Sequence, residues 1–451
     1  MVAGVPLFCN EAAQGSNSDG VSEGQSLLRI HRAIGHEDLF MRDLIFVSLE
    51  DWDEVWRRNQ FLCSEWLERF PGMRILFVGR SRDYSHAIRT GDWRGIWQPG
   101  LQSVPEFPGL SVLRPSKWAP NSLSFCRPWN RFFFAAQVRS AARSLGLRQP
   151  ILWINDHFAW NLAGQLGERA LVYDVTDDWT QMPSIRPAER KRIEAADREL
   201  CRRADLVLVC SRALEASRVS RCRRLERVAN GVDASHYVSV AKQPCREAGE
   251  AAVFGYLGTL HPDRLDIALV EALARRFPKG RVILCGPDYL GAEARSRLHG
   301  VPNVEVRPPV PYREVTSVLS EFDVCVVPHL CNAFTESLNP IKLWEYFACG
   351  KPVASTPVAG FSDYPDLVHL GGGESGFLQA CQDALMEGGR LAARRIQEAS
   401  EHSWTARVMQ ITEIFRQEGW LAGGAWCQRG LGSPSRLLEV GSSVGAEVCH
   451  G

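Results

Sequence analysis

The chain has 451 residues, 45% of them hydrophobic, and its 52 basic side chains balance 52 acidic ones. That length holds two domains with sizeable cores, and a formal charge of zero argues against bulk nucleic-acid binding. Its 14 cysteines form no CxxC pair, and Cys210, Cys285 and Cys325 sit in apolar runs, so they read as buried thiols in a reducing compartment.

Residues 1–41 are rich in Gly, Ser, Asn and Glu and are expected to be a largely disordered extension. Residues 1–24 have neither a basic n-region nor an apolar core, and no apolar run approaches the ~20 residues of a membrane helix. The expectation is a soluble cytoplasmic protein, with peripheral membrane contact left open. A first domain is expected over 42–243, with buried strands at 43–49, 74–79, 151–155, 170–174 and 206–210 and helices ending near Arg69 and spanning 187–203. Apolar strands alternating with helices predict an α/β fold, a parallel sheet covered on both faces. Residues 240–250 read as a linker, and the same alternation resumes over 252–402. Ser403 is expected to cap a last helix over 403–418, and 419–451 to be a flexible tail.

Ligands of open α/β sheets bind outside the carboxyl ends of the strands, so polar residues there are the first candidates for a site. Arg57-Arg58-Asn59-Gln60 opens the first helix at that edge. It is expected on an acceptor side, holding an acidic or phosphorylated group, with a solvated first turn as the alternative. Trp93, Trp97, Trp118 and Trp129 fall in Pro/Gly-rich stretches near Arg114, Lys117, Arg127 and Arg131, which suggests either a sugar-stacking platform or a membrane-facing patch. Asp156 and His157 end a strand: His157 can polarise a hydroxyl with Asp156 orienting it, or the pair merely caps the strand. Asp174, Asp177 and Asp178 end the next, and three carboxylates repel unless a cation or shared proton relieves them. Asp177 or Asp178 then serves as general base or as a helix cap.

The stretch from Asn339 to Val353 reads as a polar cap, a proline in the first turn, a short helix, a glycine stop and a buried strand. Asn339 is expected to accept from the orphan N–H groups. Lys342 inside the positive end of the helix dipole implies an anion between them. Glu345, one turn on, can reach two vicinal hydroxyls, and the combination describes a nucleoside diphosphate. Gly255 and Gly258 let backbone approach a phosphate or sugar closely, or simply make a tight turn.

Phe254-Gly255-Tyr256-Leu257-Gly258-Thr259, Arg264-Leu265-Asp266, Val282 to Pro287, Asn303-Val304, Tyr312, Phe322 to Pro328 and Pro340-Ile341-Lys342-Leu343-Trp344-Glu345 follow one another in order. With Ala204 to Ser211 and Asn230-Gly231-Val232-Asp233, this series resembles the GT-B glycosyltransferases, specifically bacterial polysaccharide-type enzymes near family 4. The resemblance implies two Rossmann-like domains facing a cleft, with the final helix crossing back onto the first. It implies a UDP- or GDP-linked sugar as donor substrate and a sugar or lipid-linked hydroxyl acceptor. It carries Gly258, Thr259, Arg264, Tyr312, Asn339, Ile341, Lys342 and Glu345 over as donor-side residues, with Arg264 and Lys342 as the cation pair on the diphosphate. No cofactor or metal is expected.

Two positions depart from the family pattern. Thr259 stands where an arginine is usual, and Ser337 replaces the first of two glutamates seven residues apart, with Glu336 one position off. That leaves the donor sugar and the retaining outcome open. Asp51-Trp52-Asp53 matches the metal motif of the other glycosyltransferase fold, GT-A, but the two-sheet pattern argues against it. An epimerase or phosphorylase-like enzyme on the same fold, or a non-catalytic nucleotide-sugar-binding module, are the alternatives.

Overall fold

The computed structural model describes residues 42–421, except 92, 94, 95, 97–99, 122 and 242–250. The expected extension, nearly all of the linker, the tail beyond 421 and Trp97 lie outside the described residues.

Short runs of β-branched and aliphatic residues form Asp43–Val47 (β1), Arg74–Val78 (β2), Leu101–Ser103 (β3), Leu110–Leu113 (β4), Ile151–Ile154 (β5), Ala170–Val175 (β6), Leu206–Val209 (β7) and Leu225–Arg227 (β8). They make one eight-stranded sheet in the order β8-β7-β6-β5-β1-β2-β4-β3. Every pairing is parallel except β3 with β4. A second sheet contains Val253–Leu257 (β9), Arg281–Cys285 (β10), Val304–Arg307 (β11), Val324–Val327 (β12), Val353–Ser355 (β13) and His369–Leu370 (β14). Its order is β11-β10-β9-β12-β13-β14, and it is parallel throughout. The central strands are buried along their length, as sheets covered on both faces must be. Strand order reverses beside β1 in one sheet and beside β9 in the other, so each sheet opens a crevice at those carboxyl ends.

Five helices frame the crevices and the surface beside them: Arg58–Arg69 (α1), Tyr84–Thr90 (α2), Cys126–Ser144 (α3), Ile341–Ala348 (α4) and Trp404–Gln417 (α5). The last behaves as its sequence suggests. Ser403 Oγ accepts Ala406 N–H at 3.1 Å, and the helix buries Trp404, Val408, Ile411 and Phe415 among Phe61, Trp66 and Trp153 under the first sheet. Gly231 is needed at this crossing, because a Cβ there would lie 2.9 Å from Trp404 N.

Residues 84–144 differ from the sequence reading. Trp129 lies on α3, not in a loop. Pro128 is tolerated in the first turn of that helix, whose N–H groups need no intrahelical acceptor. The helix docks through Ala135, Val138, Ala141 and Ala142. Among the described residues, no helix is long and apolar enough to cross a membrane.

Candidate active site

The two crevices face each other around a cavity of about 770 Å³, walled by residues that follow β1, β5 and β6 on one side and β9, β10 and β12 on the other. Gly258, Thr259, Arg264, Tyr312, Asn339, Ile341, Lys342, Glu345, Arg57, Arg58, Asn59, His157 and Asp177 all line it. Asp156, Asp178 and Gln60 are not among its lining residues.

On the second-sheet side the centre is Lys342. Its chain lies across Gly258, where a Cβ would overlap Cε and Nζ, and Gly258 itself adopts φ 150°. Gly258 makes room for Lys342 at the cavity wall, while Gly255 lies within β9, away from the turn, and accepts the ring of Phe322 against its Cα. Lys342 Nζ stands 5.6 Å from the Tyr256 ring centre and has no hydrogen-bond or ion-pair partner among the described residues. Burial and the nearby Arg264 guanidinium push its pKa down to about 8, with Glu345 and Asp177 pulling the other way. A half-buried cation that finds no counter-ion beside a second cation is unfavourable unless an anion arrives.

Helix α4 starts one residue later than expected and is capped differently. Pro340 is the N-cap, and no side chain caps the helix. Asn339 has turned away: its Oδ1 accepts Asn230 N–H at 2.8 Å, and its carbonyl accepts from the Asn230 side chain. The competing partner won because Asn230 belongs to the turn that receives α5, and its own polar groups would otherwise be buried unpaired. The start of the helix is therefore left uncapped at the cavity, beside Ile341 and Lys342. One turn on, Glu345 Oε1 accepts from Tyr237 Oη at 3.1 Å. Burial raises the Glu345 pKa, opposed by Lys342 and the Tyr237 hydrogen bond. Tyr312 stacks on Trp56 at 5.4 Å and on His236 at 4.3 Å, and its N–H donates to Glu54 O at 2.8 Å, so it ties the two halves together at the cavity rim.

Arg264 spans the cleft: its Nη2 donates to Asp177 Oδ1 at 3.2 Å, and its guanidinium lies 4.9 Å from the Phe334 ring centre. Asp177, read as a possible base, is thus the counter-ion of Arg264, the arginine expected on the diphosphate. Ser337 is buried: its Oγ accepts Asp178 N–H at 3.3 Å and its carbonyl accepts Ser211 Oγ at 2.7 Å. Glu336 is exposed and outside the cavity lining, so it does not replace the missing glutamate.

The first-sheet side corrects several expectations. Arg58 is buried, gripping Asp174 with bonds of 3.0 and 3.1 Å and donating to Asn230 Oδ1 at 3.1 Å. Asn59 Nδ2 donates to Ser48 Oγ and Asn155 Oδ1, and Gln60 Nε2 to Asp51 O. These three are internal struts, because burying a strand-end carboxylate such as Asp174 requires a matched cation. Of the quartet, only Arg57 stays partly exposed, bonded to Glu50 at 3.2 Å. Asp156 caps the turn after β5 through Phe158 N–H at 2.9 Å, and Asp178 caps the next through Thr180 N–H at 3.2 Å. His157 differs: it is 5% exposed, and its Nε2 is buried without a hydrogen-bond partner. Burial lowers its pKa, keeping the ring neutral.

Two lining residues escaped the sequence reading. Glu50, just after β1, has its pKa raised to about 7 by burial and the neighbouring Asp177 and Asp53 carboxylates, against the pull of Arg57. Such a group exchanges protons near neutrality. The flanking Asp51 and Asp53 drew attention from it; they bond Arg80 N–H and Val55 N–H. His329, after β12, is buried with Nε2 3.2 Å from Tyr256 Oη, and burial with the nearby Lys342 and Arg264 charges drives its pKa well down.

Comparison with known proteins bears on this geometry. Residues 251–388 match the family described as glycosyl transferases group 1. A putative teichuronic acid biosynthesis glycosyltransferase of Bacillus subtilis, TuaH, is 24% identical over 53% of this chain, and the match spans 65% of that relative's length. Sucrose-phosphate synthase from Thermosynechococcus elongatus superposes with TM-score 0.62 at 17% identity, covering 84% of this chain and 99% of its own. HepE of Anabaena, solved with UDP and glucose, superposes with TM-score 0.59 at 17% identity, covering 83% and 99%. The fold is GT-B, and the second half carries a glycosyl transferases group 1 domain.

Proposed function

We propose that this GT-B chain transfers a sugar from a nucleoside-diphosphate sugar to a hydroxyl-bearing acceptor. The observation that carries the reading is Lys342: a cation without a counter-ion, laid over Gly258 beside an uncapped helix start, in a cavity with room for a ligand. A diphosphate supplies the missing anion. As the sugar–phosphate bond breaks, charge grows on the β-phosphate, and Lys342, Arg264 and the α4 N–H groups are already in place to stabilise it. Arg264 keeps further N–H donors beyond the one on Asp177. The site as read needs no metal, and activity should survive EDTA.

Glu345 is assigned to the ribose hydroxyls, with Tyr237 steadying the carboxylate. The open Nε2 of neutral His157 is suited to a hydroxyl of the donor sugar or the acceptor. The neighbour solved with UDP and glucose favours a uridine-linked donor, and the resemblance to family-4 enzymes favours retention of anomeric configuration. A panel of nucleotide sugars assayed for nucleotide release, with NMR of the product anomer, tests transfer itself, the donor base and the anomeric outcome. Absence of release and of binding for every donor would overturn the reading.

A further inference from the structure

Nine of the large hydrophobic side chains exposed among the described residues fall between 88 and 133. Six of them form one face: Trp118 (67% exposed), Leu123, Phe125, Trp129 (63%), Phe132 (64%) and Phe133. Phe125, Trp129, Phe132 and Phe133 recur at helical spacing, so they share one stripe at the start of α3, opposite the alanines that bury its far end. The loop before α3 is tied to it, with Asn130 Nδ2 donating to Ala119 O and Asn121 Oδ1, both at 2.8 Å. Trp118 in turn stacks on Tyr84 of α2 at 3.9 Å. The face is thus built from helices and a braced loop.

The segment that carries this face is rich in basic residues: 84–148 contain nine Arg and Lys against two Asp and Glu, of which Lys117 is paired with Asp83 and Arg114 with Asp51, within a chain whose total is zero. Exposed aromatic rings interleaved with arginine match the interface of an anionic bilayer, where rings settle at headgroup depth and guanidinium groups meet lipid phosphate. A second copy of the chain fits poorly, since a two-fold contact would press two basic faces together.

The face also adjoins the cavity. Arg131 lies 5.5 Å from the Trp160 ring centre and its carbonyl accepts Asn161 Nδ2, in the turn whose first residues, His157 and Phe158, line the cavity. We propose that the face formed by α2, by Trp118, Leu123 and Phe125, and by the start of α3 docks the protein on an anionic phospholipid surface. There the first-sheet wall meets an acceptor carried by a membrane lipid. This deepens the glycosyltransferase reading and rests on it only for the acceptor.

The test is flotation of the full chain with vesicles of phosphatidylcholine alone and of phosphatidylcholine mixed with phosphatidylglycerol. The chain should float with the mixed vesicles only, release at high salt, and show a blue shift of tryptophan emission. The triple variant Trp129→Ser, Phe132→Ser, Phe133→Ser should lose about tenfold or more in partitioning with its melting temperature unchanged. No flotation of the parent, equal flotation of the triple variant, or a parent dimer that the triple variant dissolves in sedimentation would each overturn the proposal. Nucleotide binding by calorimetry separates the two readings: its loss condemns the donor site and leaves the docking result standing.

Discussion

The two walls of the cavity carry the same kinds of polar side chain in equivalent places, the carboxyl ends of parallel strands. They differ in what those side chains already hold. On the first-sheet wall Arg58, Asp174, Asn230, Asn59, Asn155 and Ser48 bond one another, and little donor or acceptor capacity remains. On the second-sheet wall Lys342 has no partner among the described residues, the start of α4 is uncapped, and Glu345 has only Tyr237. Buried polar groups that satisfy one another rigidify a scaffold, whereas those left unsatisfied mark where a ligand completes the set. His157, with its open Nε2, and Asn59, whose Oδ1 is buried without a partner, are the first wall's exceptions among the described residues. Residue type and strand-end position therefore do not identify a ligand site; unoccupied bonding capacity does.

If that contrast holds, substitutions on the two walls should fail in different currencies. The largest effect is expected for Arg58→Ala, which strands the Asp174 carboxylate at 0% exposure. Removing one partner of a buried pair costs about 3–5 kcal/mol, so the variant should melt far below the parent. A variant that melts with the parent but no longer transfers sugar would put Arg58 in the chemistry and erase the contrast.

Lys342→Ala should do the reverse. Loss of one preorganised cation typically costs about 10²-fold in kcat, while stability should hold or rise, because alanine favours helix and an uncompensated buried charge disappears. Gly258→Ala sharpens the point from the other side. Its Cβ would displace the Lys342 side chain without touching its charge, so turnover should fall and restoring glycine alone should recover it. Near-parent turnover in both variants, with folding intact, would move the diphosphate elsewhere.

Glu345→Gln comes next in size. A carboxylate on two ribose hydroxyls makes charge-assisted bonds worth roughly 1.5–3 kcal/mol, which calorimetry with a nucleoside diphosphate would register. Unchanged affinity in a folded variant sinks the ribose assignment.

What could be read from the sequence depends on distance along the chain. The parallel strands, the helix over 187–203 and the Ser403 cap depend on neighbours within a few residues, and local pattern carried them. Lys342 and Glu345 stood out for the same reason, one turn apart behind a proline. The Arg58–Asp174 pair joins residues 116 apart, and Asn339 is diverted by Asn230, 109 residues away. No local pattern announces such partners. Helix α3 went unread because its exposed stripe is aromatic rather than polar, which removes the contrast between faces that periodicity relies on.

The smallest effect concerns pH, and it separates a bare cation from a paired one. Burial and Arg264 hold Lys342 near a pKa of about 8, below the ordinary 10.5. Between those values the unfolded chain keeps the proton that the empty folded protein has released, so this group adds stability as pH rises through that window. A bound diphosphate reverses the preference, since the anion favours the charged amine. Binding above about pH 8 must therefore draw in a proton, and affinity should fall by at most about tenfold per pH unit there. Calorimetry near pH 9 in buffers of different ionisation enthalpy should detect that uptake in the parent. It should vanish in Lys342→Arg, whose guanidinium stays charged. Affinity that is flat from pH 7 to 9.5 with no proton uptake would mean that no anion sits on Lys342, and the unpartnered amine would have to be explained by the fold alone.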